Sequence, residues 1–314
     1  MGLRIRNLDY GTHPSVLHHA GGDLICRSGL ELKRRCFDLI GDPRQSFSFS
    51  KSGKLSALQV YRRPAAQTPL RRIPQLAIVT FTSFRSPGSA ELSLHHLGVE
   101  IDVVRPRAAK WDHMLKISLM KEYLEALETD YVLFLDSHDT FVTSDILGIV
   151  DAFKKLDCKL LFQADALDWP ACATEFYDRI AAKDAAYRYL CSGIFMGETA
   201  FLRRVVARAV ETAPIGDYGD QAIYKQVFPE FHPEARLDYH CELFQPLTDY
   251  RDPRRPDRFA AANLNLEIQY RPDREPPPDV ASISPRDPVA AGRHLLDRLL
   301  ASALARLPET WRPS

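Results

Sequence analysis

The chain predicts an α/β fold, a mainly parallel sheet with helices on its faces. Short unbroken apolar runs such as Tyr131-Val-Leu-Phe-Leu135 read as strands buried on both faces. Between these runs lie stretches whose apolar residues recur at helical spacing. That alternation is the signature of βαβ units. With 45% apolar residues over 314 positions, the chain can form one large domain with additions or two small ones.

The elements follow in order from Leu76. Leu76-Ala-Ile-Val-Thr-Phe81 is a buried strand and Val99–Val104 a second. Trp111 to Glu128 carries Leu115, Leu119, Met120, Tyr123 and Leu127, one face of a helix. The central strand 131–136 follows. Ser144 is placed to cap a helix with the stripe Ile146, Leu147, Val150 and Phe153. Lys159–Gln163 is a strand, Trp169-Pro170 a turn, and Gly193–Gly197 another strand. Helices are expected over 199–212 and from Asp220 onward. Asp287-Pro288 starts a helix through Leu295, Leu299 and Leu304 that stops at Pro308; residues 30–40 suggest one more. Prolines cluster at 64–74 and 253–288, marking linkers. The expected organisation is therefore 1–75 as an N-terminal segment with linker, 76–270 as the main domain, and 271–314 as a linker with a C-terminal helix.

Composition excludes several function classes. The 41 basic and 41 acidic residues cancel, so no long-range field draws nucleic acid or anionic membrane. No apolar run approaches a membrane span, and Met1–Asn7 lacks a signal peptide's apolar core, giving the expectation of a cytoplasmic protein. The six cysteines form no CxxC pair, which argues against a zinc site or a disulfide framework.

The central strand ends in Asp136-Ser-His-Asp139. In open α/β sheets ligands bind outside the carboxyl ends of the strands. Two carboxylates there can grip a divalent cation, and the cation a diphosphate. Alone the pattern is weak, because turns after strands favour Asp for local hydrogen bonds. A phosphohydrolase with a nucleophilic Asp at the strand end is a rival, but it needs its second acid at +2, where His138 stands.

Further blocks sharpen the motif: Leu160-Leu-Phe-Gln-Ala-Asp-Ala-Leu-Asp-Trp169-Pro170, Tyr189-Leu-Cys-Ser192-Gly193-Ile-Phe-Met-Gly197, Asp217-Tyr-Gly-Asp220-Gln221, and Leu237-Asp238 through Phe244-Gln245. In this order, over about 76–245, they resemble the glycosyltransferase domain of the procollagen lysyl hydroxylases, a GT-A-type fold using UDP-sugars. The resemblance implies that Asp136 and Asp139 coordinate Mn²⁺ on the UDP diphosphate. It places His138 beside the uracil and Lys110 at the diphosphate. It puts Trp169, with Ser192 and Gly193, in the sugar pocket, and Asp217, Asp220 and Gln221 facing the transferred sugar. On bland readings Trp169 is a core aromatic, Lys110 a solvated charge, Asp217 a surface acid and Asp220 a helix cap.

The family closes its metal site with a histidine after the Phe-Gln block. That segment, R-x-R-N-x-x-Y-x-T-x-P-x-V-x-H-x-N-G, is missing downstream. Its match is at the start: Arg4-Ile-Arg6-Asn7, Tyr10, Thr12, Pro14, Val16, His18-His-Ala20-Gly21. A circularly permuted domain with His18 as third metal ligand explains this, since domain termini often lie close together. The rival is a remnant of a preceding domain, with His18 far from the acids. Imidazole with carboxylates favours Mn²⁺ over Ca²⁺. Three departures, Cys191, Ile194 and Ala20, are expected around the sugar and bear on donor choice. The expected function is a retaining transfer of a hexose from a UDP-sugar to a glycan or protein acceptor. The alternatives are an inactive sugar-nucleotide scaffold and the phosphohydrolase.

Overall fold

The computed structural model describes residues 2–19, 36, 47–49, 70–84, 87–106, 111–216, 218–247 and 266–271. Residues 1–271 form one compact unit; a second, 272–314, lies outside the described residues. The helices expected at 287–308 and, apart from Cys36, at 30–40 also fall outside them.

The described strands are β1 (Gly2–Asn7), β2 (Val16–His18), β3 (Phe47–Phe49), β4 (Leu76–Phe81), β5 (Asp102–Val104), β6 (Tyr131–Leu135), β7 (Thr140–Val142), β8 (Leu160–Asp165), β9 (Tyr189–Glu198), β10 (Ala235–Asp238), β11 (Phe244–Pro246) and β12 (Leu266–Arg271). The described helices are α1 (Ser89–Leu97), α2 (Leu115–Glu125), α3 (Ile149–Lys154), α4 (Thr174–Ile180), α5 (Thr199–Glu211) and α6 (Gly219–Phe231), with a 3₁₀ turn at Ser144–Gly148.

The central sheet has six strands in the order β10-β8-β9-β6-β4-β5. Parallel pairs join β10 to β8, β6 to β4 and β4 to β5, but β9 runs antiparallel to both neighbours. The sheet is thus mixed. Strand direction is set by the path of the connection, which an apolar run does not encode. Side chains alternate along β6: Val132 and Phe134 enter one buried cluster with α2, α5 and α6, while Leu133 and Leu135 enter the other with α1 and α3.

Ser144 opens the 3₁₀ turn instead of capping a helix; Thr143 precedes it, and the Ser144 hydroxyl donates to the Leu3 carbonyl at 2.9 Å. A tertiary acceptor on β1 has taken the hydroxyl that local capping would have used.

The N-terminal arm is woven into this unit. β2 lies between β11, to which it is parallel, and β7, to which it is antiparallel. Asn7 donates to Gln245 Oε1 at 2.7 Å, and its own oxygen accepts the backbone N–H of Asp9 and Tyr10. Arg4 pairs with Asp145 at 2.8 Å, and Thr12 donates to the His240 carbonyl at 3.0 Å. Arg4, Asn7 and Thr12 of the N-terminal motif therefore hold the arm against the 3₁₀ turn, β11 and the segment at His240.

Candidate active site

Asp136 stands one residue past the end of β6, where its N–H donates to the Gly193 carbonyl at 2.8 Å. The N-terminus of α1 braces the following loop. Ala90 N–H donates to the Ser137 carbonyl at 3.0 Å, and the Ser89 hydroxyl to the His138 carbonyl. From the other side, His19 N–H donates to the Asp139 carbonyl at 3.0 Å, extending the β2–β7 ladder.

This ladder delivers His18. Its Nε2 is 4.0 Å from Asp136 Oδ2, and ligand atoms of His18, Asp136 and Asp139 lie within 4.8 Å of one another. His18 Nδ1 meets the Gln163 amide oxygen at 3.0 Å. A carbonyl oxygen only accepts, so Nδ1 carries the hydrogen and Nε2 presents its lone pair. Nε2 is buried with no hydrogen-bond partner, a state that native structures rarely leave unexplained. Burial lowers the His18 pKa against the opposing pull of Asp136 and Asp165, favouring the neutral, ligating form. An imidazole and two carboxylates suit a divalent first-row ion, and the orphaned Nε2 is where such an ion fits.

Gly193 makes this convergence possible. A Cβ there would lie 2.3 Å from His18 Cε1, 2.7 Å from Nε2 and 3.0 Å from Asp136 Oδ2. The register between β8 and β9 breaks at the same place. Phe162 pairs with Phe195 but Gln163 with Cys191, so Ser192–Ile194 bulge out of that ladder.

At the other carboxylate oxygen of Asp136 lies Lys116, which belongs to none of the sequence motifs. Its Nζ is 2.7 Å from Asp136 Oδ1 and 4.0 Å from Asp220 Oδ1. Burial works against its charge, but Asp136 and Asp220 outweigh it and hold the ammonium above the ordinary lysine range. A signal existed: Lys116 is in phase with Met120 and Leu124, so a charge sits on the buried face of α2.

Asp220, in the first turn of α6, is buried; burial raises its pKa, with the neighbouring Lys116 and Ser192 side chains opposing. It is not a helix cap. Gln221 accepts from Ser192 N–H at 3.1 Å and donates to the Trp169 carbonyl. Trp169 is not a core aromatic: it is 51% exposed, edge-on to Tyr218 with ring centroids 5.8 Å apart. His138 leans on Phe84, centroids 4.4 Å apart. Lys110 and Asp217 lie outside the described residues.

Two departures have a different setting from the one expected. Ile194 is buried in the apolar cluster with Leu133, Leu135 and Met196. Cys191 is buried behind His18, its Sγ 3.8 Å from Nδ1. Both pack around the site's supports. Ala20 is outside the described residues.

A family model described as the PLOD GT domain matches residues 100–257, half of the chain. The chain belongs to that family. It is 30% identical over 141 residues to the Drosophila melanogaster procollagen-lysine,2-oxoglutarate 5-dioxygenase, covering 42% of this chain and 19% of the relative. The Mus musculus procollagen-lysine,2-oxoglutarate 5-dioxygenase 2 is 30% identical over 145 residues, 44% of this chain and 19% of the relative. An uncharacterized protein of Acanthamoeba polyphaga mimivirus is 30% identical over 135 residues, 41% and 28%. The chain thus spans less than a third of the length of these relatives. The PLOD GT membership accounts for the α/β architecture and supports a glycosyltransferase-type activity. No helix among the described residues is long and apolar enough to cross a membrane.

Proposed function

We propose that this chain is a metal-dependent glycosyltransferase that moves a hexose from a UDP-sugar to an oxygen nucleophile on a glycan or protein, with retention at the anomeric carbon. The observation carrying this reading is the convergence of His18, Asp136 and Asp139 at the carboxyl end of β6, with an unpartnered Nε2 aimed among them. His18, Asp136 and Asp139 would hold Mn²⁺, which when bound supplies Lewis-acid neutralisation of the leaving diphosphate.

The remaining chemistry belongs to the protein. Lys116 places a fixed positive charge beside Asp136, where charge builds on a departing diphosphate. His138 and Phe84 offer an aromatic shelf for a uracil ring. Asp220 sits where a carboxylate can orient the sugar or stabilise an oxocarbenium-like centre; Asp217 shares that role by sequence position. Gln221 sets the Ser192 amide and the Trp169 turn at fixed separation. The Trp169 indole gives an apolar wall to the sugar. In a retaining transfer, the leaving diphosphate oxygen takes the acceptor's proton.

Circular permutation is our reading of the N-terminal arm. Its support is that β2 runs parallel to β11, with Leu247 N–H donating to the His18 carbonyl at 2.7 Å, so His18 lies beside the end of the Phe-Gln block.

The test is to incubate the purified protein with a panel of UDP-sugars and Mn²⁺ and measure UDP release, with and without acceptors. Release that disappears in Asp139→Ala is the expected result. UDP-sugar binding without turnover would leave a scaffold instead, and phosphate release from simple esters a hydrolase.

A further inference from the structure

Lys225 is fully buried, a place where ammonium groups are almost never found unless paired. It lies one turn after Gln221 on α6. Its Nζ is bonded to Asp168 Oδ1 and donates to the Pro170 carbonyl at 2.7 Å. The Tyr177 and Tyr189 rings close over it, centroids 5.5 and 5.7 Å away. The other Asp168 oxygen accepts the Thr174 hydroxyl. Trp169, between the two anchored residues, gives its carbonyl to Gln221. Three consecutive residues, 168, 169 and 170, are therefore each tied to α6. The one side chain they leave half-exposed is the indole.

Stability alone does not call for this arrangement. Replacing a buried ion pair by apolar groups of similar volume is often neutral or stabilising. What a cation with a carboxylate and a carbonyl provides is a single arrangement, because any slip leaves two buried acceptors unpaired. We propose that Asp168 and Lys225 are a positioning pair that fixes the Trp169 indole relative to Asp220 and Gln221, so that turn and helix act as one wall of the site. The functional consequence rests on the glycosyltransferase reading above. In that reading neither residue touches the reacting atoms. Their effect passes through Trp169, and misplacement by about 1 Å can cost roughly a hundredfold in rate.

The test uses the full chain labelled with 5-fluorotryptophan, the Trp169 ¹⁹F line being assigned among the three tryptophans by Trp169→Phe. The double variant Asp168→Leu/Lys225→Met removes both charges together. Expected are a shifted or split Trp169 line, Mn²⁺ and UDP affinities within about threefold of wild type, and a kcat for UDP release lower by at least about tenfold, with a smaller change in KM. Thr174→Val, which strips only the hydroxyl from Asp168, should shift the same line less and in the same direction. It decides the matter if the double variant does not fold. An unchanged Trp169 line in the folded double variant, or failing that in Thr174→Val, would overturn the proposal. A wild-type protein that releases UDP from no sugar nucleotide would sink the glycosyltransferase reading instead, leaving the ¹⁹F result to decide the positioning role.

Discussion

Gly193→Ala is the smallest change that reaches the centre of the site. The added carbon would stand 2.3 Å from His18 Cε1 and 2.7 Å from Nε2, whereas carbon contacts settle at about 3.5–4.0 Å. The imidazole or β9 must therefore yield by about 1 Å. Metal–imidazole bonds of about 2.0–2.1 Å tolerate deviations of only about 0.2 Å, so that displacement takes Nε2 out of bonding reach. Overpacking costs about 1–3 kcal/mol, which at about 2–4 °C per kcal/mol in a domain of this size lowers Tm by roughly 2–12 °C. Mn²⁺ affinity should fall by at least about 100-fold, the upper end of losses from disturbed ligand supports. Gly197→Ala is the matched control. Its carbon would meet Leu160 Cδ1 at 2.8 Å and the Lys159 carbonyl at 2.9 Å, also inside ordinary contact distance though less tight than at Gly193, and at the far end of β9. Calorimetric Mn²⁺ titration and thermal melts of both proteins settle the matter. The reasoning fails if Gly193→Ala binds Mn²⁺ as tightly as the control.

Three further outcomes are expected. Lys116→Met leaves Asp136 and Asp220 facing each other without their shared cation; breaking such a pair costs about 3–5 kcal/mol, and UDP affinity, read by calorimetry, should fall as well. Asn7→Ala removes the Gln245 bond and the acceptor for two backbone N–H groups. A loss of about 2–4 kcal/mol is expected, with weaker Mn²⁺ binding because the arm carries His18; unaltered Mn²⁺ binding would separate arm docking from the site. Asp238 is buried, and burial raises its carboxyl from 3.8 to about 6, against three backbone N–H donors from 242–244. A raised folded pKa means stability fully present below the unfolded value and lost as pH climbs through the folded one. Roughly two pKa units at about 1.4 kcal/mol each make about 3 kcal/mol lost between pH 4 and 6. Asp238→Asn should lack that slope when chemical denaturation is compared across the range, and identical slopes would refute the assignment.

Much of the scaffold was legible because burial writes period into sequence. The strands 76–81 and 131–135 and the helix 199–211 stand where their apolar spacing places them. The acidic pair was legible because a strand end fixes where the next side chains emerge. Lys116, Gln163 and Lys225 escaped assignment for a common reason. Each is a polar group on a buried face, and only its partners, 20, 145 and 57 residues away, give it a role.

By itself the sequence determined the α/β class, family membership through its ordered blocks, and the residue types needed for an imidazole–carboxylate site. Those are properties of local periodicity and side-chain chemistry. Only tertiary structure decided that β9 runs against its neighbours, that its bulge opens beside Asp136, and that an arm from the other end of the chain sets His18 there. Sheet pairing joins residues by backbone hydrogen bonds that carry no side-chain signature, so which distant segments become neighbours is decided only when the chain closes on itself.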